Sequence, residues 1–180
     1  MFAKIYVRSA LSSDLRDDAH HHSTDALAAS ALADQRGGAV LGSLLCRVKY
    51  ADGTTAKEFH AGSSNLTSLL KEWTTEVKER GRSRGWVKIR GEWDITAAEG
   101  LYAQVARESL AYWMDPHCVQ CHGSKVGEDR RACPCCKGTG SAPISGKAFV
   151  AERVADMVSE LEGIFQAHSG RASSMMRRQA

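Results

Sequence analysis

At 180 residues, 43% hydrophobic and 25% charged, the chain has the makeup of a medium-sized globular domain able to bury a real core. A net charge of +3 is too small to point to an acidic partner or to exclude one, so the placement of charge carries the information. No stretch approaches the roughly 20 apolar residues of a membrane helix, and Lys4, Arg8, Asp14 and Arg16 interrupt any leader-like run. These features predict a cytoplasmic protein whose cysteines stay reduced and are free to hold metal.

Residues 1–22 read as a flexible N-terminal segment, with Lys4–Val7 a candidate short strand. Three adjacent imidazoles, His20, His21 and His22, cannot all face one ion and fit a solvated tail. Ser23 or Thr24 is placed to cap a helix with Leu27, Ala28, Ala31 and Leu32 on one face and Gly37 just past its end. Residues 39–50 are ambiguous. A buried helix with Gly42 at a close contact competes with a strand leading to Asp52-Gly53, and the balance tips to helix over 39–48. Cys46 has no other cysteine or histidine nearby and reads as a small buried hydrophobe.

Leu66, Leu69, Leu70, Trp73 and Val77 fall at helical spacing and predict a helix over 64–80 that Gly81 stops. Between Lys78 and Arg90 stand six basic residues (Lys78, Arg80, Arg82, Arg84, Lys88, Arg90) against the single acid Glu79. With Gly81 and Gly85 as breaks and Trp86, Val87 and Ile89 as a short extended segment, this stretch is a candidate phosphate-contacting loop; the alternative is a solvated linker. Thr96-x-x-Glu99 has the form of a capping box and predicts a helix from about Thr96 to Met114, ended by Asp115-Pro116. Across the basic bend the two helices form a helix-turn-helix-like pair with an overlong joint. Ser145 is placed to cap a last helix with Val150, Val154, Met157, Val158, Leu161 and Phe165 on one side, leaving at Gly170. Packed on the 94–114 helix, it would clamp the segment between them.

That segment holds five of the six cysteines. Cys118-x2-Cys121 and Cys133-x2-Cys136 stand eleven residues apart, and doubled turns of this kind close a tetrahedral four-thiolate shell around one structural zinc ion. Gly123, Gly138 and Gly140 are placed to take the positive φ that lets the chain leave each turn. Cys135 points away from its neighbour and reads as a spare thiol, while His117 or His122 is an alternative fourth ligand. Cys118-Val-Gln-Cys121-His122 also matches the attachment motif of c-type haem, and a CxxC can cycle as a dithiol. Neither rival explains the second turn. Lys125, Arg130, Arg131 and Lys137 would offset the charge of about −2 on a zinc tetrathiolate.

The turn Cys133–Gly140, CPCCKGTG, has the CxxCxGxG form of the DnaJ-type zinc finger; the first turn, CVQCHGSK, keeps CxxCxG with Lys125 at the last glycine. Two such turns after a basic stretch (RGWVKIRGEWD) and a long aromatic-bearing helix (LAYWMD), followed by a C-terminal helical segment, resemble the late-gene antitermination proteins of lambdoid bacteriophages, the Q type with a DnaJ-like zinc finger. The resemblance covers roughly residues 64–165. It implies zinc ligands at Cys118, Cys121, Cys133 and Cys136, and a non-enzymatic regulator in the bacterial host cytoplasm that binds DNA and host RNA polymerase to allow read-through of terminators. The nucleic-acid candidates, Arg80, Arg82, Arg84, Lys88, Arg90, Arg130 and Arg131, rest on charge alone. A chaperone-like or adaptor module that binds protein and no nucleic acid is the alternative.

The expected fold is mainly α with minor β: a flexible segment 1–22, a helical, DNA-binding region 23–116, a zinc module 117–141 inserted as a hairpin, a helix within 142–168 and a basic disordered tail 169–180.

Overall fold

Leu66, Leu69, Trp73 and Val77 are all buried on one side of a helix in the computed structural model, as their spacing requires. The structure describes residues 2–11, 26–37, 40–50, 64–127 and 129–177. They form α1 (Phe2–Leu11), α2 (Ala26–Gly37), α3 (Leu41–Tyr50), α4 (Ser64–Ser83), α5 (Glu92–Met114) and α6 (Ala148–Arg177). Among the described residues the only β pairing is two isolated antiparallel bridges, His117 with Ser141 and Val126 with Ala132. The fold is mainly α with minor β. The His20–His22 run and the Asp52-Gly53 turn lie outside the described residues.

Several boundaries differ from the sequence expectation, each for a local reason. Lys4–Val7 is helix rather than strand, and the flexible reading of 1–22 fails over Phe2–Leu11. Phe2 and Tyr6, four residues apart, meet with tilted rings at 5.6 Å and both are buried, which is helical rather than alternating periodicity. Helix α4 runs through Gly81 to Ser83 and ends on a Schellman motif: the N–H of Gly85 (φ +61°) reaches Arg82 O and that of Trp86 reaches Gly81 O. Gly85 is therefore the stop. Gly81 serves a different need, because a Cβ there would stand 2.4 Å from the Tyr102 ring. Trp86 to Ile89 form no strand. Trp86 folds back as the apolar residue after the cap and meets Tyr102 at 6.0 Å.

Helix α5 begins four residues before Thr96. Gly91 is its N-cap, and the Asp94 carboxylate accepts the N–H groups of Arg90 and Gly91. Thr96, already helical, turns its hydroxyl back to Glu92 O, so the Thr96/Glu99 box is not the cap. Helix α6 passes Gly170 and continues to Arg177, correcting the disordered-tail reading over 169–177. Its buried stripe of Leu161, Phe165, His168, Ala172 and Met175 keeps the three- and four-residue spacing to that end.

The chain divides into two compact units, Met1–Trp73 with Glu160–Ala180, and Thr74–Ser159. In the first, Tyr50 lies between Tyr6 and Phe165 at ring distances of 6.2 and 5.6 Å. In the second, Arg153 lays its guanidinium over both Trp86 and Phe149, at 5.7 and 4.7 Å. No helix among the described residues is long and apolar enough to cross a membrane.

Candidate metal centre

Two short turns after α5 bring Cys118, Cys121, Cys133 and Cys136 together, and all four are buried. The first turn is held by the N–H of His122 on Cys118 O and of Ser124 on Cys121 O, the second by that of Thr139 on Cys136 O. Bonds between them, Cys118 N–H to Gly140 O at 2.9 Å and Cys133 N–H to Lys125 O at 2.9 Å, set the two turns face to face. Gly123 (φ +83°) and Gly138 (φ +81°) take the left-handed exit expected of each turn. Lys125, standing where the repeat has glycine, keeps the same left-handed backbone at φ +68°.

The four sulfurs lie within 4.8 Å of one another. Cys118 Sγ is 3.9 Å from Cys133 Sγ, and Cys121 Sγ is 3.6 Å from Cys136 Sγ. A tetrahedron with metal–sulfur bonds of about 2.3 Å has sulfur–sulfur edges of about 3.8 Å. These distances fit such an ion and are far from the roughly 2.05 Å of a disulfide. All the cysteines are free thiols. The set can hold a metal ion.

The backbone favours thiolate at the site. The N–H of Cys121 draws the Cys118 thiol down to about 6 against its burial. Burial opposes ionisation of Cys136, yet the N–H groups of Gly140, at 3.3 Å from its sulfur, and of Gly138 bring it below the ordinary thiol range. Cys133 receives the N–H of Cys136 but is carried up to about 11 by burial and by hydrogen bonds with the other thiols. An incoming cation must therefore displace protons from the cluster.

The remaining candidates are not among the four grouped sulfurs, although the Cys135 thiol hydrogen-bonds with that of Cys118. Cys135 is exposed. His117 is exposed and its Nδ1 meets Asp115 at 2.9 Å, while His122 is exposed at φ +48°. Haem attachment would need Cys118 and Cys121 free of the cluster, and both are in it.

The basic candidates separate into two groups. Arg80 binds Glu76 at 2.7 Å, Lys78 and Arg82 share Glu99, and Arg84 binds Asp156. These four brace the second unit. Lys88, Arg90, Arg130 and Arg131 are exposed and have no ion-pair partner among the described residues.

One constellation was missed from sequence. In the first unit, His168 is fully buried, its Nε2 2.9 Å from Ser30 Oγ and its Nδ1 3.1 Å from Asp34 Oδ1. Gly42 lies so close that a Cβ would stand 2.5 Å from the ring. The order Ser–His–Asp is that of a hydrolase triad. Ser30 is only 2% exposed, however, so a substrate has no approach and the trio is a polar lock joining α2 to α6. Its one sequence signal was a histidine on the apolar stripe of α6. Cys46 is buried as expected, and burial pushes its thiol up to about 11.

Comparison with family models, with characterised proteins and with solved structures returns no match.

Proposed function

We propose that Cys118, Cys121, Cys133 and Cys136 hold one structural zinc ion, and that the chain is a transcription antiterminator of the phage late-gene type, acting in the bacterial cytoplasm. The observation that carries this reading is the pairing of two CxxCxG turns into one buried four-sulfur cluster directly after a long helix. Soft thiolates in tetrahedral array select zinc among the common divalent ions. Four protein ligands leave no open coordination position, so the ion shapes the hairpin and does no chemistry.

In this reading the protein is not an enzyme. It binds DNA through exposed cations, with Lys88, Arg90, Arg130 and Arg131 now the leading candidates, and it binds host RNA polymerase so that transcription passes terminators. Arg80, Arg82 and Arg84 support the scaffold through their carboxylate partners. The test is transcription from a template with the cognate late promoter and a terminator, with and without the metal-loaded protein. Increased read-through is expected; unchanged termination would sink the proposal.

The runner-up is an adaptor whose metal hairpin binds protein and no nucleic acid. It is favoured by the ion pairs that occupy four of the six cations between Lys78 and Arg90, and by Val119, 79% exposed on the first turn. Salt-dependent duplex binding, lost on neutralising Arg130 and Arg131, separates the two; binding to a protein partner without it favours the adaptor.

A further inference from the structure

The second cysteine turn carries one thiol more than the four-sulfur cluster uses. Cys135 stands between Cys133 and Cys136 and is exposed, while the four grouped cysteines are buried. It is not an isolated thiol. Its S–H donates to the sulfur of Cys118, which belongs to the first turn, so this contact crosses from one turn to the other. Cys118 is itself inside the cluster, its sulfur 3.9 Å from that of Cys133. A solvent-facing thiol thus touches a sulfur of the metal centre directly, and four thiolates already fill a tetrahedral shell without it.

An oxidant arriving from solvent meets Cys135 first. Cys118 and Cys133 are fully buried, and Cys121 and Cys136 are only 7% and 5% exposed. An accessible thiol with a second cysteine poised to resolve it is the arrangement of a redox-sensing pair. Cys46, the sixth cysteine, has neither feature: it is fully buried in the first unit, where its thiol faces the Ser169 hydroxyl.

We propose that Cys135 and Cys118 form a peroxide-sensitive pair that closes a disulfide and so withdraws one ligand from the bound ion. The proposal rests on the metal-binding part of the reading above and not on antitermination. In the first step the Cys135 sulfur attacks one oxygen of a hydroperoxide. An S–O bond forms, the O–O bond breaks, and the thiol proton leaves with the departing oxygen as water or an alcohol. Cys135 is oxidised to a sulfenic acid, and the peroxide is reduced. The Cys118 sulfur then attacks that of Cys135: the S–S bond forms, the S–O bond breaks, and the hydroxide that leaves takes a proton from solvent. Only Cys121, Cys133 and Cys136 then remain to hold the ion. A dithiol reductant restores both thiols and is itself oxidised to a disulfide. Donation to Cys118 raises the Cys135 thiol above its ordinary range, which slows the first step, so the pair answers to a high dose of peroxide rather than to traces.

The test is hydrogen peroxide added to the zinc-loaded full chain, with released zinc read by a colorimetric chelator and disulfides mapped by peptide mass spectrometry. The wild type should release zinc as a Cys118–Cys135 disulfide accumulates, and a dithiol should restore binding. Cys135→Ser should start with the same zinc content and keep its ion at the dose that empties half of the wild type. Equal release from Cys135→Ser overturns the proposal while the metal reading stands. So does a wild-type disulfide between Cys133 and Cys136, or between any two of the grouped cysteines, in place of Cys118–Cys135. A chain that takes up no zinc before oxidant is added overturns both.

Discussion

Between residues 117 and 141 the buried side chains among the described residues are four cysteines, with no aliphatic residue beside them. In the first unit the buried set is the opposite: Leu45, Leu69, Trp73, Leu161 and their neighbours, with two polar residues, Ser30 and His168, let in under their mutual hydrogen bond and beside the half-buried Asp34. A stretch of 25 residues without an apolar core has no burial energy to set against its chain entropy; a metal held by the four sulfurs would supply the difference. The helical unit has its own source of stability. The two regions should therefore fail separately, and for different reasons.

The largest effect is expected from the metal. Chelation, or Cys133→Ser, should abolish metal binding and melt the hairpin, because in such modules binding free energy is folding free energy, of order 10 kcal/mol. Amide exchange should accelerate across 117–141 and into the adjoining ends of α5 and α6. If residues 160–175 exchange equally fast, the helical core depends on the metal and the contrast is wrong. Trp73→Ala should be the mirror image. Removing a fully buried indole costs about 3–5 kcal/mol, read as a lower melting temperature, while the folded fraction retains its full metal content. Loss of metal in parallel would again merge the regions.

A smaller effect follows from the polar lock. Burial holds the pKa of His168 below its ordinary value; Asp34 pulls it up and Arg171 pushes it down, and burial prevails. As pH falls through the unfolded histidine's pKa, about 6.5, the unfolded chain takes up a proton that the folded chain resists. Stability therefore decreases below that pH and levels off once the folded imidazole titrates. His168→Gln, which keeps a polar group toward Ser30, should flatten that part of a denaturation–pH profile. An unchanged slope would place the acid sensitivity elsewhere. The smallest effect should come from Cys135→Ser: metal content unchanged and stability within about 0.5 kcal/mol. A fall in metal content would put Cys135 in the coordination shell.

The four-sulfur cluster was legible in the sequence because its cysteines are neighbours there, and two CxxC turns eleven residues apart need only a short hairpin to meet. The stripes of α4 and α5 were legible for a similar reason, since helical periodicity is local. Helix ends were less so. Gly81 and Gly85 look alike in sequence, and only the Tyr102 ring over the first and the left-handed turn at the second tell them apart. Thr96 and Glu99 have the spacing of a cap, but Asp94 stands earlier and fills it.

Charge was the least legible. A run of six cations looks like one surface, yet Arg82 finds Glu99 seventeen positions away and Arg84 finds Asp156 seventy-two away. Ser30 and His168 meet across 138 positions. By itself the sequence determined the helical character and the four sulfurs of the candidate metal site, because spacing along the chain is enough to specify both. Which cations remain free, where α5 and α6 end, and which histidine is buried were decided by tertiary structure, because each depends on a partner that only folding brings within reach.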